Sequence, residues 1–429
     1  MRAFSARVID FIRSGFCTLE YTNILQEELN MKFNQWTLAL ASAGMVSLGS
    51  IAVADSHSVL SQVSKTTLSG YVDTSAIWAL GSGGNGNFPG RTNDGVGRAD
   101  GFNLNVVQVS LEKPLDESEW ASGYKVDMWM GPDSQWLGNY SSGSFGANDF
   151  SLKQAYVALR APIGNGLDLK MGVFDTVIGY EVANSPANPN FSRSYGFALE
   201  PFQHTGLLAS YQLTDELSVS AGVANTHPSG INARAEFVGG SESQKTYMGA
   251  VTYTIPEDAG FLGGGAVYAG IVEGLAGGPR EQSNYYAGVT VPTPVDGLAV
   301  GIAFDYVDNI GSAIGAGQID AYSIAGYGSY QVSEKMTFNA RVDYVEGDDG
   351  LFFDEGAPGF VGAANSDNEL LSVTGTIDYS LWENVISRLE VRWDHSLNSN
   401  QFGGPSGTFF GGADDENVVT VGVNAIYQF

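Results

Sequence analysis

The chain closes on VVTVGVNAIYQF, Val418 to Phe429. From Val419 onward every second residue is apolar, and the last residue of all is aromatic. C-termini usually fray into polar residues, so an alternation carried to the final position implies that the end of the chain is paired. Period two sends successive side chains to opposite faces of a sheet. Val419, Val421, Val423, Ala425, Tyr427 and Phe429 should therefore form one apolar face. Thr420, Gly422, Asn424 and Gln428 should form the other, with Ile426 as an apolar exception.

The same rhythm recurs upstream. Leu167, Leu169, Met171 and Val173 alternate with Asp168, Lys170 and Gly172. Leu298, Val300, Ile302, Phe304 and Tyr306 alternate with Ala299, Gly301, Ala303 and Asp305. Met336, Phe338, Ala340, Val342 and Tyr344 alternate with Thr337, Asn339, Arg341 and Asp343. Stretches of about ten alternating residues are the length a tilted strand needs to cross a bilayer. The pattern predicts strands at 67–80, 101–112, 121–131, 150–161, 166–176, 203–213, 216–226, 244–255, 263–273, 283–293, 297–307, 319–332, 335–346, 368–381, 385–396 and 417–429. Phe102 and Leu104 are out of phase with Val107, Val109 and Leu111, which points to a bulge or a later start.

The connections alternate in length. Turns such as PIGNG (162–166), Thr214-Asp215, Ser333-Glu334 and WEN (382–384) are short. The segments 81–100, 132–149, 177–202, 227–243, 347–367 and 397–416 are long, with medium ones at 274–282 and 308–318. An up-and-down barrel with tight periplasmic turns and extended outer loops sorts its connections in this way. The predicted fold class is therefore all-β: a transmembrane antiparallel up-and-down β-barrel of about sixteen strands. An even strand number brings both chain ends to the periplasmic side, where the last strand must pair with the first. An open edge in lipid would leave N–H and C=O groups without partners.

The first fifty-four residues read as a segment absent from the mature protein. MKFNQWTLALASAGMVSLGSIAVADS, opening at Met31, carries one Lys, an apolar run and Ala52-Val53-Ala54. That is the pattern of a cleaved secretory signal, with the mature chain starting at Asp55. Residues 1–30 contain Asp10, Glu20, Glu27 and Glu28 and read as an over-extended start. SGFC (Ser14 to Cys17) is a poor lipoprotein box, because Phe16 is bulky and no apolar core precedes it. Residues 55–66 form a short periplasmic segment and 67–429 the barrel. Cys17 is the only cysteine, so a disulfide framework is excluded. The net charge is −27 and nothing resembles a basic stripe, which argues against a nucleic-acid partner.

From Leu169 to Leu213 the chain reads LKMGVFDTVIGYEVANSPANPNFSRSYGFALEPFQHTGLLASYQL. A strand ends in G-x-F (Gly172 to Phe174) and T-x-x-G-x-E follows (Thr176 to Glu181). A loop rich in Asn, Ser and aromatic residues then leads to a strand opening T-G. With LSGYVDTSAIW (Leu68 to Trp78) and the terminal strand, this resembles the β-barrel porin-2, OmpL-like family over roughly Ser69 to Phe429. The resemblance implies an outer-membrane barrel of porin type, whose substrates are usually undefined. A terminal Phe429 with Tyr427 two places before it also resembles the signal that outer-membrane insertion machinery reads.

Charges on the alternate face carry the functional expectation. Asp73, Lys125, Asp127, Arg160, Asp168, Lys170, Asp305, Arg341, Asp343, Asp378, Arg388, Glu390, Arg392 and Asp394 should point inward and line a wet pore. A lipid-facing Arg at the bilayer midplane costs about 2–4 kcal/mol, and sixteen strands enclose more space than side chains fill. The alternative is a lumen in which paired charges act as struts. The connection 177–202 is a candidate constriction loop, with Asp175, Glu181, Arg193 and Glu200 facing one another across an eyelet. The acidic clusters Asp348-Asp349, Asp354-Glu355 and Asp414-Asp415-Glu416 match no calcium loop and read as solvated charge.

No cofactor or metal site is expected: the four histidines, His57, His204, His227 and His395, form no H-x-x-x-H pair. His395 lies in the lipid-facing phase beside Trp393 without a nucleophile, so it reads as part of an interfacial aromatic belt rather than a lipase-type triad. The expected function is passive diffusion of small hydrophilic solutes through an outer-membrane porin. Its partners would be lipids, lipopolysaccharide and the insertion machinery. General porins are often trimers, so a homotrimer is open to this chain, though nothing in the sequence locates an interface. An adhesive or structural surface barrel is the rival reading. A gated transporter would need a plug domain, and only about a dozen residues separate Asp55 from the first strand.

Overall fold

The computed structural model describes residues 66–80, 100–137, 149–227, 230–234, 241, 243–277, 280–310, 320–348, 368–398, 402 and 416–429. The proposed signal, residues 1–30, His57 and most of the acidic outer clusters lie outside the described residues. The strands are β1 (Thr67–Leu80), β2 (Gly101–Lys113), β3 (Ser122–Met130), β4 (Phe150–Ala161), β5 (Leu167–Asp175), β6 (Gln203–Gln212), β7 (Leu217–Ala224) and β8 (Thr246–Thr254). They continue with β9 (Ala266–Gly277), β10 (Arg280–Pro292), β11 (Leu298–Asp308), β12 (Ala321–Ser333), β13 (Met336–Gly347), β14 (Asn368–Tyr379), β15 (Val385–Ser396) and β16 (Asn417–Gln428). Each pairs antiparallel with its sequence neighbours, and β1 pairs with β16, so the sheet closes as a barrel.

Closure explains the alternating tail. The Gly70 N–H donates to the Phe429 carbonyl at 2.9 Å, and the Phe429 N–H donates back to Gly70 at 3.0 Å. The last residue is a full member of the ladder. Val423, Ala425, Tyr427 and Phe429 are exposed on the outer face, while Thr420, Asn424 and Ile426 are buried inside. Ile426 is inward and apolar because it packs in a cluster with Tyr71, Trp129 and Leu137.

The out-of-phase start of β2 is a bulge. Asp73 pairs with Val106 and Thr74 with Leu104, so Asn105 is the extra residue. A second bulge lies on β4, where Asp127 pairs with Gln154 and Met128 with Leu152, leaving Lys153 over. The sorting of connections breaks in one place. β9 runs on to Gly277 and β10 begins at Arg280, so only two residues separate them on the outer side, whereas the opposite connection 255–265 carries a 3₁₀ turn at Gly260–Leu262. Glu273 and Gln282, near the rim, still find ladder partners, so the hairpin extends past the expected boundary.

The outer face is apolar, with Val300, Ile302, Phe304, Val342, Leu389 and Val391 all exposed. Aromatic residues flank the band at both ends. Toward the long loops, Tyr285 stacks on Tyr306 at 5.9 Å and Trp393 on His395 at 5.4 Å. Trp393 and His395 both turn a ring nitrogen to the Asn417 side-chain oxygen at 3.0 Å. Toward the short turns stand Tyr253, Tyr330, Tyr379 and Tyr427. A closed barrel resists detergent until heated. Purified protein is therefore expected to migrate at different gel positions boiled and unboiled; a single position under both conditions would exclude closure.

Candidate functional site

The connection between β5 and β6, residues 176–202 and here called L3, folds into the barrel. It contains only a 3₁₀ turn (Ser185–Ala187) and a five-residue helix, α1 (Tyr195–Leu199). Almost all of its backbone groups must therefore find partners outside regular structure. The inner wall supplies them.

The first half of L3 lies on a wall of tyrosines and small residues. Val177, Ile178 and Tyr180 pack with Tyr268, Tyr286, Ala299, Ala303, Ala325 and Tyr327. Tyr180 stacks on Tyr327 with centroids 4.1 Å apart and planes inclined by 17°. Such a pair is worth about 0.5–1.5 kcal/mol beyond its burial. Two wall glycines make the room: a Cβ on Gly301 would stand 1.7 Å from the Tyr180 hydroxyl, and one on Gly270 would stand 2.6 Å from Ile178. Inward glycine thus forms the recess in which L3 sits.

The second half is held by charge. Glu390 on β15 accepts from the Phe191 N–H at 2.7 Å and the Ser192 N–H at 2.9 Å. Arg341 on β13 donates to the Ser192 carbonyl at 2.8 Å, to Glu181 at 2.9 Å and to Asp343 at 3.0 Å. Arg388 donates to the Ser185 and Asn188 carbonyls, and Arg392 to the Arg193 carbonyl. Asp343 accepts from the Tyr195 N–H and Asp394 from its hydroxyl. Charge-assisted bonds of this kind are short and strong. Together they replace the water that free loop backbone would need.

The fourteen inward charges therefore divide. Arg341, Asp343, Arg388, Glu390, Arg392 and Asp394 are buried under L3, and the expectation that they line open water is corrected: the first five bind loop backbone and Asp394 binds the Tyr195 hydroxyl. Asp73 is buried between Asn105 and Asn424, and Asp127 between Ser110 and Gln154. Asp305 is buried too, against Glu200. Lys125, Arg160, Asp168, Lys170 and Asp378 keep partial exposure. Of these, Lys125 pairs with Glu112 at 3.1 Å, Arg160 grips Asp168 through two bonds, and Asp378 meets Arg388 at 3.3 Å.

Three of the four eyelet candidates are also corrected. Glu181, Arg193 and Glu200 are buried rather than turned across an opening. Asp175 is ion-paired to Lys153, Glu181 to Arg341, and Arg193 donates to the Val182 and Phe191 carbonyls while resting on the Phe197 ring. Glu200 lies beside Asp305, and burial followed by the Asp305 charge pushes its carboxyl well above the usual carboxylate range. Sequence reasoning did not single out Lys153, because the β4 bulge takes it out of phase with Tyr156, Ala158 and Arg160. It also left Tyr180 and Tyr195 unassigned, since loop residues carry no periodicity.

Residues 65–429 match the family model described as "Putative beta-barrel porin-2, OmpL-like". The chain belongs to this family. It is an outer-membrane porin, a barrel for passive diffusion, and its place is the outer membrane. No curated protein matches it in sequence. Solved structures share the porin's fold at low identity. The outer-membrane channel DcaP of Acinetobacter baumannii is 13% identical, with a TM-score of 0.55 over 85% of this chain and 97% of its own. OprB of Pseudomonas putida gives 13% and 0.55, covering 85% and 94% of the two chains. The anion-selective porin from Comamonas acidovorans gives 13% and 0.54, covering 85% and 99%.

Proposed function

We propose that small hydrophilic solutes cross this porin along the strip of inner wall that L3 leaves uncovered, on β3 to β7. The observation that carries this reading is the contrast in burial. Inward residues of β14, Ser372, Thr374 and Thr376, are sealed beneath L3. Lys125, Tyr156, Lys170, Ser210, Ser218 and Ser220 keep partial exposure on the opposite side. Porins select by width and by the charges at their narrowest point. Here L3 sets the width and the β3 to β7 wall supplies the charges. The reading is that of a channel and not of an enzyme.

Tyr427 and Phe429, at the sheet seam, serve as the signal read by the insertion machinery, and the apolar outer face meets lipid and lipopolysaccharide. A homotrimer, the form in which one structural neighbour from Vibrio cholerae was solved, is the assembly we favour. Conductance through single cysteines tests the route. Ser220→Cys should lose conductance when a bulky charged thiol reagent is added, whereas Ser372→Cys should not react. Equal block at both positions would place the path elsewhere.

A further inference from the structure

We infer that Lys170 and the hydroxyl-bearing wall beside it form a binding station for a small organic monoanion, a carboxylate with a short apolar body. This rests on the route proposed above and adds the substrate class.

Along that route the fixed charges nearly cancel. Arg160 is neutralised by Asp168, and Lys125 meets both Glu112 at 3.1 Å and the buried Asp127 at 3.9 Å. Lys153 and Asp175 neutralise each other. Lys170 is different: among the described residues it makes no ion pair, and its ammonium lies 5.1 Å from the centre of the Tyr156 ring. A ring face attracts a cation without using its N–H donors, so the ammonium keeps hydrogen bonds to give.

Lys170 lines a small crevice between the β4 to β8 wall and the start of L3. Gln154, Ser218, Ser220 and Thr252 bring neutral polar groups to it, and Leu208 and Val177 bring apolar ones. Asp175 also reaches the crevice, but its carboxylate is bound to Lys153. One unpaired ammonium suits one negative charge, which it holds by a charge-assisted bond. The hydroxyls orient the carboxylate end of the ligand, and its short apolar body stays outside the crevice, which has room for about one water molecule. A net charge of −27 does not oppose this, because charges farther away than about 8–10 Å are largely screened at physiological salt.

Planar-bilayer recordings of the full porin test the station. In a potassium chloride gradient the wild type should reverse on the anion side, and millimolar sodium lactate should lower the chloride current. Lys170→Gln should reduce the anion-to-cation permeability ratio about threefold or more, the scale of one unit charge acting across a few ångströms of water. It should also abolish the lactate effect, whereas Lys170→Arg should keep both. Heat-dependent gel migration establishes that each variant is folded. Equal ratios in wild type and Lys170→Gln, or chloride current indifferent to lactate, would overturn the station while leaving the porin reading intact. Wild-type protein that shows no conductance steps would overturn both.

Discussion

Arg341→Ala is expected to release L3 and to be the most damaging single substitution in the lumen. Arg341 is fully buried and donates to Glu181, Asp343, the Ser192 carbonyl and hydroxyl, and Thr374. Removing it leaves two buried carboxylates and a loop carbonyl without their cation. Breaking a buried ion pair from one side costs about 3–5 kcal/mol. The barrel ladder does not depend on Arg341, so the cost falls on docking of the loop. Single-channel recordings should show a larger and noisier conductance, while the unboiled protein still migrates as a folded barrel. A double-mutant cycle with Glu181→Gln should recover part of the loss, because the second substitution removes one stranded charge. An Arg341→Ala channel with unchanged conductance and noise would mean that L3 is held elsewhere.

Raising the pH is expected to loosen L3 at its far end. Glu200 sits in the loop beside Asp305, with Glu181 of the same loop and Tyr286 of β10 nearby. Burial, the Asp305 charge and their shared hydrogen bond raise the Glu200 carboxyl well above its ordinary value. The docked loop therefore favours the protonated acid. Its contribution is complete below the ordinary carboxylate value of about 4.3. It is lost as pH climbs through the raised one, because docking must then hold a charge that water would solvate better. Channel noise should grow as pH rises above the ordinary carboxylate range, and Glu200→Gln should flatten that profile. Loosening at low pH instead would contradict the assignment.

The two halves of the site differed in how far the sequence revealed them. The inward phase of Lys125, Arg341 or Glu390 follows from alternation with Val126, Val342 and Val391, which is local and survives any uncertainty about loops. Whether each faces water was not legible. Arg341 and Lys170 occupy equivalent places in their patterns, yet one is sealed by Ser192, a residue 149 positions away, and the other is partly exposed. Glycine content was visible as a number. That Gly301 and Gly270 form a seat for Tyr180 and Ile178 required the loop to be in place.

By itself the sequence determined a closed barrel of about sixteen strands, with its greasy and polar faces and the pairing of its last strand with its first. Those properties depend on side-chain direction, which repeats every two residues, and on the cost of unpaired backbone in lipid. Only the tertiary structure decided which polar residues meet solute and which hold L3. That choice is made by loop carbonyls and N–H groups, which every residue carries alike, so no pattern of side chains announces where they will bind.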